Sequence, residues 1–328
     1  MSVIFSRAPL RITLGGGGTD LPSYYREHGG FTVSGAIDKY VYMLTHTVFQ
    51  RRYRMKYSEL EEVEQVGEIR HPILRESLLR HWCGNPLEIA SVADVPAGTG
   101  MGSSGAYTVC LLKGLAHARH MSIAPGELAE AACEIEIDVL GEPVGKQDPY
   151  VAAHGGICAF TYNADGTVAV EHLELDPEVL QRLREQLLLF YTGQARSASK
   201  VLADQDERSK TGEPEMVANL DRTKQLGHDS YEMLRQGDLE AYAEVMHAHW
   251  ENKRHRSPGM ANGHVDRLYT MARRHGAIGG KLVGAGGGGF LLVYASHPED
   301  VRRAMRAEQA HELAFDFEFG GAYASEYA

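Results

Sequence analysis

Positive charge is in short supply in this chain. Its 33 lysines and arginines face 44 aspartates and glutamates, a net charge of −11 at pH 7. That balance argues against a broad basic footprint for DNA or RNA. Cysteine is scarce as well. Cys83, Cys110, Cys133 and Cys158 lie far apart, with no CxxC pair and no zinc spacing. They read as buried thiols in a reducing cytosol rather than as a disulfide framework. No apolar run is long enough to cross a bilayer, and the start "MSVIFSRAPLRITL" breaks too early for a signal peptide's apolar core. The expectation is a cytoplasmic protein with no membrane partner. Repeats of roughly 20–50 residues are not visible. HExxH, the Walker A pattern and an in-register GxGxxG are missing too, which sets aside a zinc protease, a P-loop and a Rossmann nucleotide site.

Glycine, in contrast, is abundant: 36 residues, many in three short runs. "LGGGGTD" ends in Asp20, "PAGTGMGSSGA" spans Pro96 to Ala106, and "GAGGGGF" spans Gly284 to Phe290. Glycine costs roughly 0.5–1 kcal/mol against alanine inside regular structure. Three such runs therefore need a reason. Each is flanked at once by strand-like apolar residues, which excludes a flexible linker. The middle run follows the strand "PLEIASVADV" and precedes the helix "AYTVCLLKGLAHARH". A strand, a glycine-rich turn and a helix N-terminus make an anion site, because backbone N–H groups converge there with partial positive charge. Ser103 and Ser104 at the helix start are placed to cap it or to hold a metal. A tight strand-to-helix turn explains one such loop equally well; it explains three less well.

The chain is long enough for two domains. Its 43% hydrophobic and 23% charged residues fit a globular protein. The remaining pattern alternates strands and helices. "SVIFSRAPLRITL" and "FTVSGAIDKYVYMLTHTVF" read as strands, "PGELAEAACEIEIDVLG" as a helix from Pro125 to a stop at Gly141, and "GGICAFTYNADGTVAVEHLEL" as a hairpin turning at Asp165-Gly166. A composition shift puts the domain boundary between residues 180 and 181. The strand "REQLLLFYTG", polar helices, a strand–glycine–strand unit, a short helix and an alternating "AFDFEFG" follow.

Acids supply the remaining chemistry. At about 100° per residue, Leu128, Ala132, Ile135 and Val139 share one helix face. Glu134 and Asp138 fall opposite, and Glu136 sits beside the apolar stripe. An acid at a core margin is costly unless paired or holding a cation; a flank salt bridge is the other reading. Asp148, in the Gly/Pro-rich "GEPVGKQDPYVAAHGG", reads on its own as a cap or Asx turn. The 16 histidines, His247 and His249 of "HAHW" among them, read as surface residues. "QRRYRMK" reads as a solvated basic face that is also able to meet a phosphate.

Taken in order, "APLRITLGGGGTD", "PAGTGMGSSGA" and "GKLVGAGGGGF" resemble the three motifs of the GHMP kinases, the galacto-, homoserine, mevalonate and phosphomevalonate kinase superfamily. The match spans residues 8 to 290. "RAPLRITLGGGGTDLP" and "GEPVGKQDPY" look most like its sugar-1-kinase branch, which includes kinases of D-glycero-D-manno-heptose 7-phosphate and the kinase halves of bifunctional fucokinases. The resemblance implies an α/β (α+β) fold of two lobes: residues 1–180 similar to ribosomal protein S5 domain 2, and 181–328 ferredoxin-like. It implies ATP and Mg²⁺. Pro96, Gly98, Gly100, Met101, Gly102 and Ser103, with Gly286 and Gly287, would meet the nucleotide. Ser104 and Glu136 would hold Mg²⁺; Asp148 and Arg11 would be catalytic. Gly17, Gly18, Thr19 and Asp20 would bind the sugar. Arg196, Lys200 and the Arg51–Lys56 run are the cations offered to a second phosphate on it. The implied activity is ATP-dependent phosphorylation of the anomeric hydroxyl of a sugar phosphate, feeding nucleotide-activated heptose synthesis for surface polysaccharide. An L-fucose or arabinose kinase and an inactive sugar/ATP sensor are the alternatives. Implied partners are the sugar phosphate and ATP, with a homodimer left open. Gly17 and Gly18 stand where galactokinases carry Glu-His, and Arg11 stands where mevalonate kinases carry Lys. Both departures point away from galactose and isoprenoids.

Overall fold

The computed structural model describes residues 2–49, 51–193, 198–260 and 262–327. Two sheets organise the chain. The first contains β1 (Val3–Gly15), β2 (Gly30–Thr47), β3 (Tyr53–Lys56), β4 (Leu60–Val63), β5 (Leu87–Ala93), β6 (Ile157–Tyr162) and β7 (Val168–His172). The second contains β8 (Leu187–Tyr191), β9 (Ala277–Leu282), β10 (Phe290–Ala295) and β11 (His311–Glu312). A last strand, β12 (Tyr323–Tyr327), returns to the first sheet and pairs antiparallel with β1, Val3 opposite Tyr327.

The order in the first sheet is β12-β1-β2-β5-β3-β4, with β6 also on β2 and β7 on β6. β2 holds this together by its length. Its first residues pair with β6, its last with β5, and its other edge runs along β1. β1 alternates buried and half-buried residues at its start, then is buried on both faces from Arg7's neighbour Ala8 to Gly15. That change of pattern carries Arg11 into the interior. The second sheet is antiparallel in the order β11-β8-β10-β9. With helices after its first strand and between its third and fourth, this is the ferredoxin-like arrangement.

The helices are α1 (Pro22–His28), α2 (Pro72–His81), α3 (Ser103–Ala118), α4 (Pro125–Cys133), α5 (Gln147–His154), α6 (Pro177–Gln186), α7 (Ala198–Lys210), α8 (Pro214–Gln236), α9 (Leu239–Arg254), α10 (Gly263–Arg274) and α11 (Pro298–Ala307). Strand periodicity divides the cores. In β8, Leu187 and Leu189 join the large core shared by both lobes, while Leu188 and Phe190 face Trp250, Leu268 and Met305.

Several expectations differ from the structure. Position 180/181 falls within α6, and β12 completes the first sheet from the far end of the chain. "AFDFEFG" is not a strand: only Phe317 bridges, to Ile37, and the true edge strand is "YASEY". Alternation alone does not distinguish a strand from a strap whose N–H groups reach a sheet singly. Cys83 is exposed, while the other three cysteines are buried free thiols. Among the described residues no helix is long and apolar enough to cross a membrane.

Candidate active site

The middle glycine run links β5 to α3. Gly98, Gly100 and Gly102 all have positive φ, 77°, 82° and 75°, so the backbone winds through the left-handed region at alternate residues. Gly102 is itself the N-cap of α3; neither serine caps the helix. The hydroxyl of Ser103 is buried without a partner, a donor left for a ligand at a helix N-terminus.

The glycines also solve a packing problem. A Cβ on Gly100 would stand 2.6 Å from the Val283 carbonyl oxygen, one on Gly284 2.3 Å from that of Gly100, and one on Gly289 2.2 Å from that of Thr99. The second and third glycine runs therefore touch backbone to backbone. Gly286 is closed off by Met260, 2.5 Å from a Cβ there, and the Gly287 N–H donates to the Met260 carbonyl. Met101 is fully buried in the core and presents only its carbonyl, which accepts from the Arg11 N–H at 3.1 Å. Pro96 is exposed, and its carbonyl accepts from Thr99 Oγ1.

Arg11 and Asp148, 137 residues apart in sequence, meet beside this loop. Arg11 Nε and Nη2 both donate to Asp148 Oδ1 at 2.8 Å, and Nη1 donates to the Gly100 carbonyl at 2.5 Å. Asp148 lies inside the first turn of α5, not in an Asx turn. A Cβ on Gly102 would contact both Asp148 and Arg11, at 3.1 and 3.2 Å. The ion pair thus abuts the loop directly.

Glu136 is 2% exposed, whereas Glu134 and Asp138 are exposed. The segment Glu134–Val139 is a π-helical turn, a form found mostly as single turns near functional sites. Thr108 Oγ1 donates to Glu136 Oε1 at 2.8 Å, and Ser104 Oγ contacts Oε2. Burial pushes the Glu136 carboxyl up to about 7 against these two hydroxyls, with Asp148 adding to the rise. A hydroxyl and a carboxylate whose charge lacks a cation fit a hard divalent ion that takes its other ligands from water or phosphate. Among the described residues no cluster of three His, Cys, Asp or Glu side chains forms a self-contained metal site.

A cleft opens between the lobes, lined by Arg11 and Asp148 at one side and by Gly17, Gly18 and Asp20 at another. Asp20 accepts from the N–H groups of Gly18 and Gln147, at 3.1 and 3.2 Å. Its carboxyl is raised by burial and then by Asp148. Thr19, read from sequence as a sugar contact, is fully buried and faces the fold. Its hydroxyl is placed on the carbonyls of Gly16 and Phe31 and accepts from the Phe31 N–H.

Of the cations offered from sequence, Arg196 lies outside the described residues, and Lys200 stands in the first turn of α7 with its side chain outside them. The Arg51–Lys56 run belongs to the far edge of the first sheet, where Arg54 pairs with Glu62 and Glu88, and Lys56 with Glu88. The cleft instead presents Lys253, Arg256 and Lys281, with His249. His249 is 2% exposed, contrary to the surface reading. "HAHWENKRHR" resembles a solvated helix face; the packing of α9 on both α8 and β9 turns it inward. Lys281 lies within the third motif and was the one sequence signal for this group.

Residues 71–156 match the family described as GHMP kinases N terminal domain, and residues 230–311 match GHMP kinases C terminal, together just over half of the chain. The D-glycero-alpha-D-manno-heptose 7-phosphate kinase of Campylobacter jejuni is 27% identical over 97% of both chains. The bifunctional fucokinase/GDP-fucose pyrophosphorylase of Arabidopsis thaliana is 25% identical over 92% of this chain and 31% of that protein. Among solved structures, a D-glycero-D-manno-heptose 1-phosphate kinase from Bacteroides thetaiotaomicron superposes with a TM-score of 0.81 over 99% of both chains at 23% identity. That last likeness bears on the fold.

Proposed function

The chain belongs to the GHMP kinases, and from that premise we propose that it transfers the γ-phosphoryl group of ATP to the anomeric hydroxyl of D-glycero-D-manno-heptose 7-phosphate. The products would be the 1,7-bisphosphate and ADP, an intermediate suited to nucleotide-activated heptose synthesis. The observation that carries the reading is the Arg11–Asp148 pair, assembled against the glycine loop at the mouth of a cleft that also contains Asp20.

Phosphoryl transfer passes through a largely dissociative transition state, so positioning and charge neutralisation dominate. Arg11 holds one oxygen of Asp148 and fixes its orientation. The other oxygen, Oδ2, lies against Gly102 and is the acceptor left for the proton of the sugar hydroxyl. Asp20 would orient sugar hydroxyls. The Ser103 hydroxyl and the N–H groups at the start of α3 would bind nucleotide phosphates. Ser104 and Glu136 would hold Mg²⁺, which when bound neutralises charge between the phosphates.

A panel of heptose 7-phosphate, heptose 1-phosphate, L-fucose and L-arabinose, read by ADP release and by ³¹P NMR of the product, tests the proposal. Turnover of heptose 7-phosphate with a new signal at the anomeric position is the expected result. Preference for L-fucose or for heptose 1-phosphate would replace the substrate. ATP binding without ADP release on any sugar would favour a sensor.

A further inference from the structure

The basic group in the cleft has no place in the transfer step just described. His249 and Lys253 lie one turn apart on α9, Arg256 just beyond its end, and Lys281 on β9 opposite. All four are at least nine-tenths buried, at 2%, 6%, 3% and 1% exposure, and all four line the cleft. Among the described residues none of the three cations has a carboxylate within ion-pair distance. Burying such charge without a counter-ion is expensive, and backbone carbonyls compensate it only in part.

Donor accounting shows what is left over. Lys281 Nζ donates to the Leu14 carbonyl at 2.9 Å, one of three ammonium hydrogens. Lys253 Nζ donates to the carbonyls of Leu282 and Gly284, two of three. Arg256 reaches the Gly17 carbonyl, Asn219, Gln205 and Thr223. Both ring nitrogens of His249 are buried without a partner. A buried imidazole with two idle nitrogens, beside ammonium groups with idle hydrogens, is unfinished as a core and suited to an oxyanion.

Charge narrows the anion further. Arg11 and Asp148 cancel each other within the same cleft. Asp20 offsets one of the three cations Lys253, Arg256 and Lys281. With both lysines protonated around a bound anion, a surplus of two positive charges remains, matching a phosphate monoester with its charge of about −1.5 to −2. We infer that His249, Lys253, Arg256 and Lys281 form the subsite for the substrate's distal phosphate, the one that is not transferred. The inference rests on the proposed sugar-phosphate reading and assigns that phosphate to α9 and β9, in place of the cations offered from sequence.

The test compares heptose 7-phosphate with the same heptose lacking the 7-phosphate, in wild type and in Lys253→Met and Lys281→Met. Methionine keeps the volume and removes the charge. Charge-assisted hydrogen bonds of this kind correspond to a roughly 10- to 100-fold effect each. The variants should lose that factor in kcat/KM on heptose 7-phosphate, mainly through KM, and stay within about threefold on the unphosphorylated sugar. Equal losses on both sugars, or an unchanged preference for the phosphorylated one, would overturn the subsite. Calorimetric titration of inorganic phosphate into protein saturated with a non-hydrolysable ATP analogue separates the two claims. If wild type ignores heptose 7-phosphate, the substrate reading fails. Phosphate binding that is lost in Lys281→Met still supports the anion site in that case, and absent or unaltered binding refutes it.

Discussion

Two buried corners of this molecule mirror each other. Against the first turns of α3, Glu136 is an acid enclosed by hydroxyls with, among the described residues, no cation paired to it. In the cleft, Lys253 and Lys281 are bases enclosed by carbonyls with, among the described residues, no carboxylate paired to them. Each corner resists its own charge. Burial raises the Glu136 carboxyl to about 7, and burial, reinforced by Arg256 and Arg11, lowers the Lys281 ammonium to about 7. Between them stands the Arg11–Asp148 pair, which is balanced internally. On the proposed reading, the contrast separates a group prepared to act from two groups prepared to bind: the pair is complete in the protein alone, and the corners would be completed by ligands.

The largest effect should come from unbalancing the pair. General-base assistance is worth roughly 10²–10⁴-fold, so Asp148→Asn should lower kcat within that range while ATP affinity, measured by calorimetry, stays near wild type. Adding Arg11→Met should cost little more than Asp148→Asn alone, because the two act as a unit. A near-normal kcat in Asp148→Asn would break the comparison at its centre.

The acid corner comes next. Removing the carboxylate in Glu136→Gln should raise the Mg²⁺ concentration for half-maximal activity roughly 10- to 100-fold, the scale of a lost interaction with a charged group. Glu134→Gln, on the exposed side of the same turn, should change it less than twofold. Equal effects in a magnesium titration would show that burial of Glu136 has no bearing on the metal.

The measurement that tests both corners together is stability against pH. A carboxyl raised from 4.5 to about 7 gives stability that is present below 4.5 and lost as pH rises through 7, on the order of 3 kcal/mol. An amine lowered from 10.5 to about 7 does the reverse: its contribution is present above 10.5 and lost as pH falls through 7. Urea unfolding of the ligand-free protein in EDTA should therefore show opposing slopes on either side of neutrality. Glu136→Gln should flatten the acid limb and Lys281→Met the alkaline limb, each relative to wild type. Slopes that neither variant alters would mean that the corners carry no such charge cost.

Much of the candidate site's geometry was legible because local rules forced it. Positive φ at Gly100, Gly102 and Gly284, with backbone contact at Gly100 and Gly284, demands glycine whatever else the loop does. Glu136 was found by helical stepping, although the chain leaves α-geometry at Glu134 and the π turn completes its burial. Met101 and Thr19 sit inside motifs yet face the core, because a motif marks a stretch of chain and not the direction of each side chain. The basic floor was illegible for the opposite reason. His249, Lys253 and Arg256 have the composition of a solvated helix end, and what buries them is long-range packing, of β9 and α8 on α9 and of Gly17, Gln205, Asn219 and Thr223 around Arg256. Long-range packing also hid β12, whose partner lies more than 300 residues earlier in the chain.

That strand has a consequence for biosynthesis. β1 is synthesised before every other described strand and carries Arg11 eight residues in from its start at Val3, yet its outer edge is covered only when Tyr323–Tyr327 arrives. Until then the nascent first lobe presents an unpaired edge, the kind of surface that invites pairing with other chains. On nascent chains stalled behind a C-terminal linker, chaperone occupancy should persist after residue 312 has cleared the exit tunnel, when both sheets are otherwise available, and fall once residue 327 has cleared it.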